Sequence, residues 1–332
     1  MRDALSQAAG VFVVSAGLCL LAGRATIRRL ARAQMVQPLR HGDCPPLQEL
    51  HAHKAGTPTM GGVLVLAAAA VAAACGGGLR HADGWIVLGS VAALAALGLL
   101  DDVLKLRRPQ ALGVRTAPKL AVALGVGAAV GAALAVGPAE RAAVALPWSG
   151  RAAALGPLCV PFAMLVMAAS AHAVNLTDGM DGLAAGCGTV AFAALAVWLL
   201  LDPAADRRLL PWCAAFAGAC AGFLWFNGYP ASVFLGDVGA LGLGAALGAI
   251  ALLSQAALWF VVVGGVFVAE AGSVIVQVAS YRWRGGRRVF RVAPLHHHFQ
   301  LGGTPEPKLM VRFWIAGALL ASAGVATAGW WP

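Results

Sequence analysis

The chain has 332 residues, of which 60% are hydrophobic and only 11% are charged, and its formal net charge is +10. Soluble proteins carry about 25% charged residues, so this composition excludes an ordinary soluble domain and predicts a polytopic protein of the lipid bilayer. The basic residues lie between apolar segments, where the positive-inside rule accounts for them, so the net charge does not indicate nucleic-acid binding. The seven cysteines show no CxxC or Cys/His spacing, and therefore neither disulfides nor zinc is predicted.

In chain order, ten apolar segments approach the length of about 17–25 residues that a membrane-spanning helix needs. They cover residues 6–23, 60–77, 85–100, 117–136, 156–174, 183–201, 209–226, 238–254, 257–280 and 311–331. The prediction is an all-α fold with about ten transmembrane helices. In the eighth segment, Gly244 and Gly248 have the GxxxG spacing that favours close helix packing.

The distribution of basic residues predicts the topology. Eighteen of the 24 Lys and Arg residues lie in alternate loops, at 24–59, 101–119, 175–182, 227–237 and 281–312. We therefore place these loops in the cytoplasm and both chain termini outside it. No internal repeat or linker is evident, and we expect one membrane-embedded domain, 1–332.

The first cytoplasmic motif is KAGTPTMGG, residues 54–62. Its Thr-Pro-Thr turn leads into the second helix, where backbone N–H groups favour an anion and Lys54 adds a positive charge. The alternative is a capping turn with a lysine that only sets the topology.

The second motif is LLDDVLK, residues 99–105, in which Asp101 and Asp102 end an apolar run and Lys105 follows one turn later. Two carboxylates at the edge of hydrocarbon repel each other and are costly to desolvate, so a cation would stabilise the pair. Mg²⁺ prefers such oxygen ligands and in turn suits phosphates. The alternative is a solvated helix end with an ion pair to Lys105.

The third motif is NLTDGMDGL, residues 175–183, which places Asp178 and Asp181 among glycines in a loop without Lys or Arg. Its spacing does not fit a calcium loop. Two uncompensated carboxylates at the membrane edge favour a functional site, although an Asx-turn is the structural alternative.

The fourth motif is FNGYPASVFLGDVG, residues 226–239. Asp237 begins the eighth helix, where a carboxylate can cap the helix or bind a cation. Phe234 can stack on a planar base or anchor the loop at the membrane interface.

The last cytoplasmic loop carries His296, His297 and His298 beside several arginines. Consecutive histidines in extended or turn backbone point in different directions, so we predict phosphate binding rather than a shared metal. Glu270 lies inside the ninth apolar segment, where an ionisable residue indicates either function or a buried packing partner.

Together these strings resemble the phospho-N-acetylmuramoyl-pentapeptide transferase (MraY) family of bacterial peptidoglycan synthesis, within the polyprenyl-phosphate sugar-1-phosphate transferase superfamily. Besides the four motifs above, the resemblance runs through EAGSVIVQ at 270–277, APLHHHFQ at 293–300 and VRFWI at 311–315. It covers nearly the whole chain. The histidine triplet is similar to this branch rather than to its GlcNAc-transferring relatives.

The resemblance implies a Mg²⁺-dependent transfer of phospho-MurNAc-pentapeptide from UDP-MurNAc-pentapeptide to undecaprenyl phosphate. UMP and lipid I would form at the cytoplasmic face of the bacterial inner membrane. Small-residue helix faces also permit a homodimer. Two rival functions stay open: a sibling transferase that uses UDP-GlcNAc, and a transporter or flippase that binds lipid phosphate without chemistry.

The resemblance also implies roles for individual residues. Asp237 is the first choice for Mg²⁺, and Asp101 and Asp102 would face the lipid phosphate or complete the metal site. With His297, these aspartates form the expected catalytic set. Phosphates would be held by Lys54, Lys105 and His297, together with Lys119 and His296. The uridine would be held by Asp181, Asn227 and Phe234, and the diphosphate would lie near Asn175. The expected substrate-binding set is completed by Thr59, Asp178, Gln277 and His298.

Overall fold

The computed structural model describes residues 2–36, 45–107, 113–147, 149, 151–201 and 207–328. The helices are α1 (Arg2–Arg32), α2 (Pro45–His51), α3 (Gly62–Cys75), α4 (Ala82–Arg107), α5 (Thr116–Val136), α6 (Cys159–Thr177), α7 (Leu183–Leu201), α8 (Leu210–Asn227), α9 (Gly236–Leu253), α10 (Ala257–Val263), α11 (Gly265–Trp283), α12 (Leu295–Gln300) and α13 (Glu306–Ala328). The strands are β1 (Ala143–Leu146) and β2 (Arg151–Ala154). The protein is therefore an all-α multi-pass membrane protein.

Each of the ten predicted segments is helical where the structure describes it; residues 329–331 of the last lie outside the described part. Within the described residues, eight helices are long and apolar enough to cross a membrane. The ninth segment is broken instead, because α10 and α11 meet at an angle of 87°. Helix α3 has 14 residues and is shorter than a usual span. The count of ten and the position of the termini stay predictions.

Helix α9 forms the centre of the bundle and is almost entirely buried. Its glycines allow neighbouring backbones to approach, as the GxxxG spacing predicted. A Cβ on Gly244 would lie 2.5 Å from the Cα of Ala171 on α6, and the Ser170 hydroxyl of α6 donates a hydrogen bond to the Gly244 carbonyl at 2.7 Å. On its other side, a Cβ on Gly98 of α4 would lie 2.3 Å from the carbonyl oxygen of Asp237. Close contacts of this kind fix the height of α9 relative to α4 and α6.

The end of the bundle opposite the predicted cytoplasmic loops holds an antiparallel hairpin, which the sequence analysis did not anticipate. Strands β1 and β2 pair from Ala143–Ala154 to Leu146–Arg151. Next to the hairpin, Arg141 forms an ion pair with the buried Asp83 of α4. The predicted cytoplasmic loops instead meet at the other end of the bundle.

Two of those cytoplasmic loops, 24–59 and 227–237, are joined by backbone hydrogen bonds. The Thr59 N–H donates to the Met35 carbonyl at 2.8 Å, and the Phe234 N–H donates to the Pro58 carbonyl at 2.8 Å. The Gly61 N–H in turn donates a hydrogen bond of 2.9 Å to the Phe234 carbonyl. The motif that begins with Lys54 is therefore held against the motif that contains Asp237.

Candidate active site

Two helices bring the predicted carboxylates together at the cytoplasmic end. Asp101 and Asp102 lie in the last two turns of α4, and Asp237 lies in the first turn of α9. One oxygen from each carboxylate lies within 4.8 Å of the others. Asp101 and Asp102 are buried, whereas the Asp237 side chain is 15% exposed. We call these three residues, with Lys105 and Lys119, the aspartate–lysine cluster.

Two lysines neutralise part of this negative charge. Lys105 Nζ lies 2.7 Å from Asp101 Oδ2 and 3.2 Å from Asp237 Oδ1. Lys119 Nζ of α5 lies 2.9 Å from Asp101 Oδ2 and 2.7 Å from Asp237 Oδ2. The ion pair with Lys105, which belonged to the structural alternative, is present, but Asp101 is buried rather than solvated as that alternative required. Three carboxylates against two ammonium groups leave one negative charge for a cation.

The backbone also holds two of the carboxylates. Asp101 Oδ1 accepts a hydrogen bond of 2.6 Å from the Val114 N–H, which ties α4 to the segment before α5. Asp102 accepts from the N–H groups of Asp237 at 3.2 Å and Val238 at 3.0 Å. These N–H groups belong to the first turn of α9, where a carboxylate interacts favourably with the helix dipole. Both oxygens of Asp102 therefore already have backbone partners.

A glycine makes this close approach possible. Gly236 has a φ of +76°, a conformation that side chains other than glycine rarely adopt. A Cβ there would lie 2.9 Å from Asp102 Oδ2 and 3.0 Å from Thr59 Oγ1. Thr59 is buried, and its hydroxyl has no hydrogen-bond partner among the described residues. The Thr59 hydroxyl is therefore available at the edge of the aspartate–lysine cluster.

Lys54 belongs to a second buried group, which we call the Lys54 cluster: Lys54, Asp181 and Glu306. Lys54 Nζ lies 2.8 Å from Asp181 Oδ1 and 2.5 Å from Glu306 Oε1. Glu306 Oε1 also accepts from the Asp181 N–H at 2.9 Å. These contacts fasten the 3-10 turn Ala52–Lys54 after α2, the loop of Asp181 and the start of α13 to one another.

Asn227 continues this network at the end of α8. Its side-chain oxygen accepts from the Gly182 N–H at 3.1 Å, and its amide donates to the Val233 carbonyl at 2.9 Å. Asp181 Oδ2 accepts from the Ala231 N–H at 2.9 Å. Asp181 and Asn227 therefore shape the two loops they join, and the half-buried Phe234 lies in the second of these loops.

Asp178 lies between the two clusters, and half-buried Asn175 is one turn before it at the end of α6. The pKa of the Asp178 carboxyl is raised well above its usual range by desolvation, with added repulsion from Asp237, Asp102 and Asp181. Lys54 opposes that shift. The charges of both clusters therefore affect the pKa of Asp178, which lies between them.

The three histidines contact three different partners, as predicted, but they lie on the short helix α12 rather than in extended or turn backbone. The ring of His296 contacts Glu270 at 3.0 Å, that of His297 contacts Gln300 at 2.7 Å, and His298 Nδ1 accepts from the Arg291 N–H at 3.1 Å. Successive side chains on a helix diverge by about 100°, which separates them as an extended backbone would. The packing-partner alternative for Glu270 is confirmed.

The histidine helix reaches the Lys54 cluster through Gln300. Its side-chain amide nitrogen lies 3.3 Å from His51 Nε2 and 3.4 Å from Glu306 Oε2. His297 is therefore connected to the Lys54 cluster. Its ring also makes an edge contact, with centroids 4.1 Å apart, with the ring of His296, which pairs with the buried Glu270. Gln277 lies farther along α11 and bonds the backbone of Val289 and Phe290.

Two models of known protein families match the segments that contain these site residues. A family model described as glycosyl transferase family 4 matches residues 84–255, which contain the aspartate–lysine cluster. A phospho-N-acetylmuramoyl-pentapeptide-transferase signature matches residues 54–66, which contain Lys54 and Thr59.

Relatives that are similar over nearly the whole chain show which family it belongs to. The phospho-N-acetylmuramoyl-pentapeptide-transferase of Citrifermentans bemidjiense is 41% identical over 326 residues, covering 93% of this chain and 89% of its own length. Proteins of the same name from Thermodesulfovibrio yellowstonii and Dichelobacter nodosus are 40% and 42% identical, covering 91% and 93% of this chain and 87% and 89% of their own lengths. This chain belongs to the phospho-N-acetylmuramoyl-pentapeptide-transferase family. It is therefore a phosphotransferase-type enzyme of peptidoglycan synthesis.

Sequence reasoning did not include every residue of this transferase site. Glu306 and Gln300 were not in the expected set, although the structure places both beside Lys54 or its partners. Glu306 stands between two prolines at the start of α13, a position that indicates helix initiation as readily as a site. Lys54 and Glu306 are 252 residues apart, so the sequence around either residue does not indicate that the two pair.

Proposed function

We propose that the protein transfers phospho-MurNAc-pentapeptide from UDP-MurNAc-pentapeptide to undecaprenyl phosphate, which yields lipid I and UMP. The observation that carries the proposal is the position of the aspartate–lysine cluster beside a large apolar cavity. Such a reaction joins a soluble anionic nucleotide to an anionic membrane lipid. It needs neutralised charge and in-line positioning more than covalent help from the protein.

The apolar cavity suits the lipid acceptor. It has a volume of about 550 Å³ and lies between α6 and the broken pair α10 and α11, with Phe260, Phe267 and Ile275 among its lining residues. His172 and Leu120 also line it. Leu120 directly follows Lys119, and His172 interacts electrostatically with Lys119 and Asp237. A prenyl chain in this cavity would therefore bring its phosphate toward the cluster.

The residues of the cluster fit Mg²⁺. Three carboxylates within 4.8 Å of one another form the all-oxygen donor set that this hard cation prefers. We propose that Asp237 and Asp101 hold the ion and that Asp102 completes the site while it anchors α9. Bound there, Mg²⁺ would neutralise the charge on the diphosphate.

In the proposed step, an oxygen of the lipid phosphate attacks the sugar-linked phosphorus of the nucleotide. A new phosphoanhydride bond forms as the bond to the bridging oxygen breaks, and UMP leaves with that oxygen. Lys105 and Lys119 stabilise the phosphate oxygens. The lipid phosphate has a second pKa of about 6, so at neutral pH it is mostly dianionic and attacks directly, without a covalent enzyme intermediate. Isolation of a phosphoaspartyl enzyme after incubation with the nucleotide alone would disprove direct attack.

The remaining expected residues serve the nucleotide in this proposal. Phe234 offers a ring for the uracil, with Asp181 and Asn227 beneath it, and Asn175 and Lys54 approach the diphosphate. His297 lies near the same phosphates. Thr59, Asp178, His296, Gln277 and His298 stay in the proposed substrate-binding set.

The location of the reaction follows from the basic loops. We propose that the site faces the cytoplasm from the bacterial inner membrane, that residues 1–332 act as one transferase domain, and that two copies can form a homodimer. The loops that carry the site contain most of the Lys and Arg residues, as the positive-inside rule predicts for cytoplasmic loops.

The test is UMP release by the purified full chain in detergent with undecaprenyl phosphate, UDP-MurNAc-pentapeptide and Mg²⁺. We expect lipid-dependent UMP that disappears with EDTA and in Asp237→Asn. Asp3→Asn, at the first turn of α1, is the matched control and should retain activity. UMP release only with UDP-GlcNAc would replace this proposal with the sibling transferase. No release with either nucleotide from folded protein would favour lipid-phosphate binding or transport.

A further inference from the structure

The cytoplasmic end of α11 carries a loop that folds back along the helix. Gln277 Oε1 accepts hydrogen bonds from the N–H groups of Val289 and Phe290, both at 3.0 Å, and its amide donates to the Phe290 carbonyl at 3.0 Å. The Ser280 hydroxyl donates to the Arg287 carbonyl at 2.9 Å. Residues 284–294 are thereby fixed beside the last turns of α11.

A groove of about 330 Å³ lies between α11 and this returning loop. Val274, Val278 and Arg282 line it at intervals of four residues, so they share one face of α11. At 1.5 Å per residue, the groove changes from apolar to basic over about 12 Å. On the loop side, Val292 continues the apolar wall and Arg288 continues the basic part.

The charge around the groove is entirely positive. Five exposed arginines lie within ten residues: Arg282, Arg284, Arg287, Arg288 and Arg291. The sequence has no Asp or Glu between residues 271 and 305, and in the described part of the chain none of the five is within salt-bridge distance of a carboxylate. Topology alone requires arginines in this loop, but it does not require a groove that ends at two of them.

The neighbouring surface places the groove at the membrane boundary. Trp283 is 85% exposed and Tyr281 is 54% exposed, and such aromatic residues prefer the headgroup level of a bilayer. About two turns before Trp283 on α11, Val276 is apolar and 47% exposed, as expected of a helix surface that faces lipid tails. The basic end of the groove therefore lies at headgroup depth and its apolar end points into the hydrocarbon.

We propose that this groove binds one anionic phospholipid of the surrounding bilayer. Arg282 and Arg288 hold its phosphate, and an acyl chain lies along Val274, Val278 and Val292. The groove shares Val274 with the apolar cavity, but neither the aspartate–lysine cluster nor His172 lines it, so we assign it to a bilayer lipid rather than to the lipid substrate. The loop it contacts continues into α12, where the Arg291 N–H bonds His298. The lipid thus stabilises the segment that precedes the histidine helix.

Native mass spectrometry of the full chain, titrated with phosphatidylglycerol or phosphatidylcholine, tests the proposal. Two substitutions address the two ends of the groove: Arg282→Gln with Arg288→Gln removes the charge, and Val278→Trp fills the apolar part on an exposed helix face. Arg28→Gln with Arg29→Gln, on the exposed end of α1, is the matched charge control.

We expect both groove variants to weaken the tightest phosphatidylglycerol binding about tenfold or more, the arginine variant because charge is lost and the tryptophan variant because the apolar part is filled, with the control unchanged. Phosphatidylcholine should bind more weakly to the wild type. Equal binding by the wild type and both groove variants, or equal binding of the two lipids, would overturn the proposal. Displacement of phosphatidylglycerol by equimolar undecaprenyl phosphate would reassign the groove to the lipid substrate and would also overturn it.

Discussion

Asp102 of α4 accepts a hydrogen bond of 3.2 Å from the backbone N–H of Asp237, the first acidic residue of α9. The other Asp102 oxygen accepts from the next N–H along α9 at 3.0 Å. One carboxylate therefore fixes the start of the helix that carries the other. Asp102 is buried, whereas the Asp237 side chain is partly exposed. Under the proposed function the two residues have different roles: Asp102 positions Asp237, and Asp237 is the group that reaches the substrates.

Asp102→Asn tests this division. An amide can accept only one of the two α9 hydrogen bonds and turns a donor toward the other N–H. Bonds to a charged group contribute about 1.5–3 kcal/mol each, so we expect lower thermal stability in detergent together with slower UMP release. Asp83→Asn is the matched control, because Asp83 is also buried on α4 but pairs with Arg141 at the opposite end. It should lower stability while folded protein keeps its specific activity. Full specific activity in Asp102→Asn would contradict the positioning role.

Gly98→Ala tests how closely α4 must approach α9. The added Cβ would lie 2.3 Å from the carbonyl oxygen of Asp237, so the two helices must separate. A displacement of about 1 Å at a reacting site can cost roughly 100-fold in rate, and we expect a loss of UMP release of that order. Gly89→Ala on the same helix meets nothing within 4 Å and should gain up to about 1 kcal/mol of helix stability with normal activity. Equal activities of the two variants would show that the α4–α9 distance does not limit catalysis.

The aspartates could be identified from the sequence, because the energetic cost of placing a carboxylate pair at the end of an apolar run is evident from the neighbouring residues alone. A carboxylate pair at the end of an apolar run needs compensation wherever the chain folds, and Asp101 and Asp237 do share two lysines. The α4, α5 and α9 segments were likewise predictable from hydrophobic length. What the sequence could not indicate is which partner each charge takes, since Lys119 lies 118 residues from Asp237.

The missed features depend on tertiary contacts. The ninth apolar segment is continuous in sequence, and its 87° break between α10 and α11 creates the wall of the apolar cavity. Hairpin β1–β2 consists mainly of alanine, which has little strand preference. Glu306 is separated from Lys54 by most of the chain, so only the folded bundle shows the pair.

Lys119→Met tests whether the lysine and a metal ion compete. Lys119 Nζ contacts Asp101 Oδ2 and Asp237 Oδ2, which are two of the oxygens proposed for Mg²⁺. Removal of one positive charge beside a divalent cation should tighten Mg²⁺ binding by at least about tenfold, while UMP release falls because the phosphates lose a partner. Calorimetric titration with Mg²⁺ measures the affinity. Lys308→Met, an exposed lysine on α13, should change neither quantity. Unchanged or weaker Mg²⁺ binding in Lys119→Met would place the ion away from these oxygens.

Gly272→Leu tests the route of the lipid acceptor. Gly272 lines the apolar cavity from α11, and a Cβ there meets nothing within 4 Å, so a larger side chain can occupy the cavity without a clash. The four added carbons would displace part of the prenyl chain, whose burial contributes about 0.8 kcal/mol of binding free energy per CH₂. We therefore expect the apparent KM for undecaprenyl phosphate to rise about tenfold or more. The KM for the nucleotide should not change, because the nucleotide residues lie on other loops. Gly10→Leu on α1 is the matched control, since its Cβ is equally unobstructed on an exposed face away from the cavity. A parallel rise in both KM values, or no change in either, would mean that the acceptor lipid does not lie along α11.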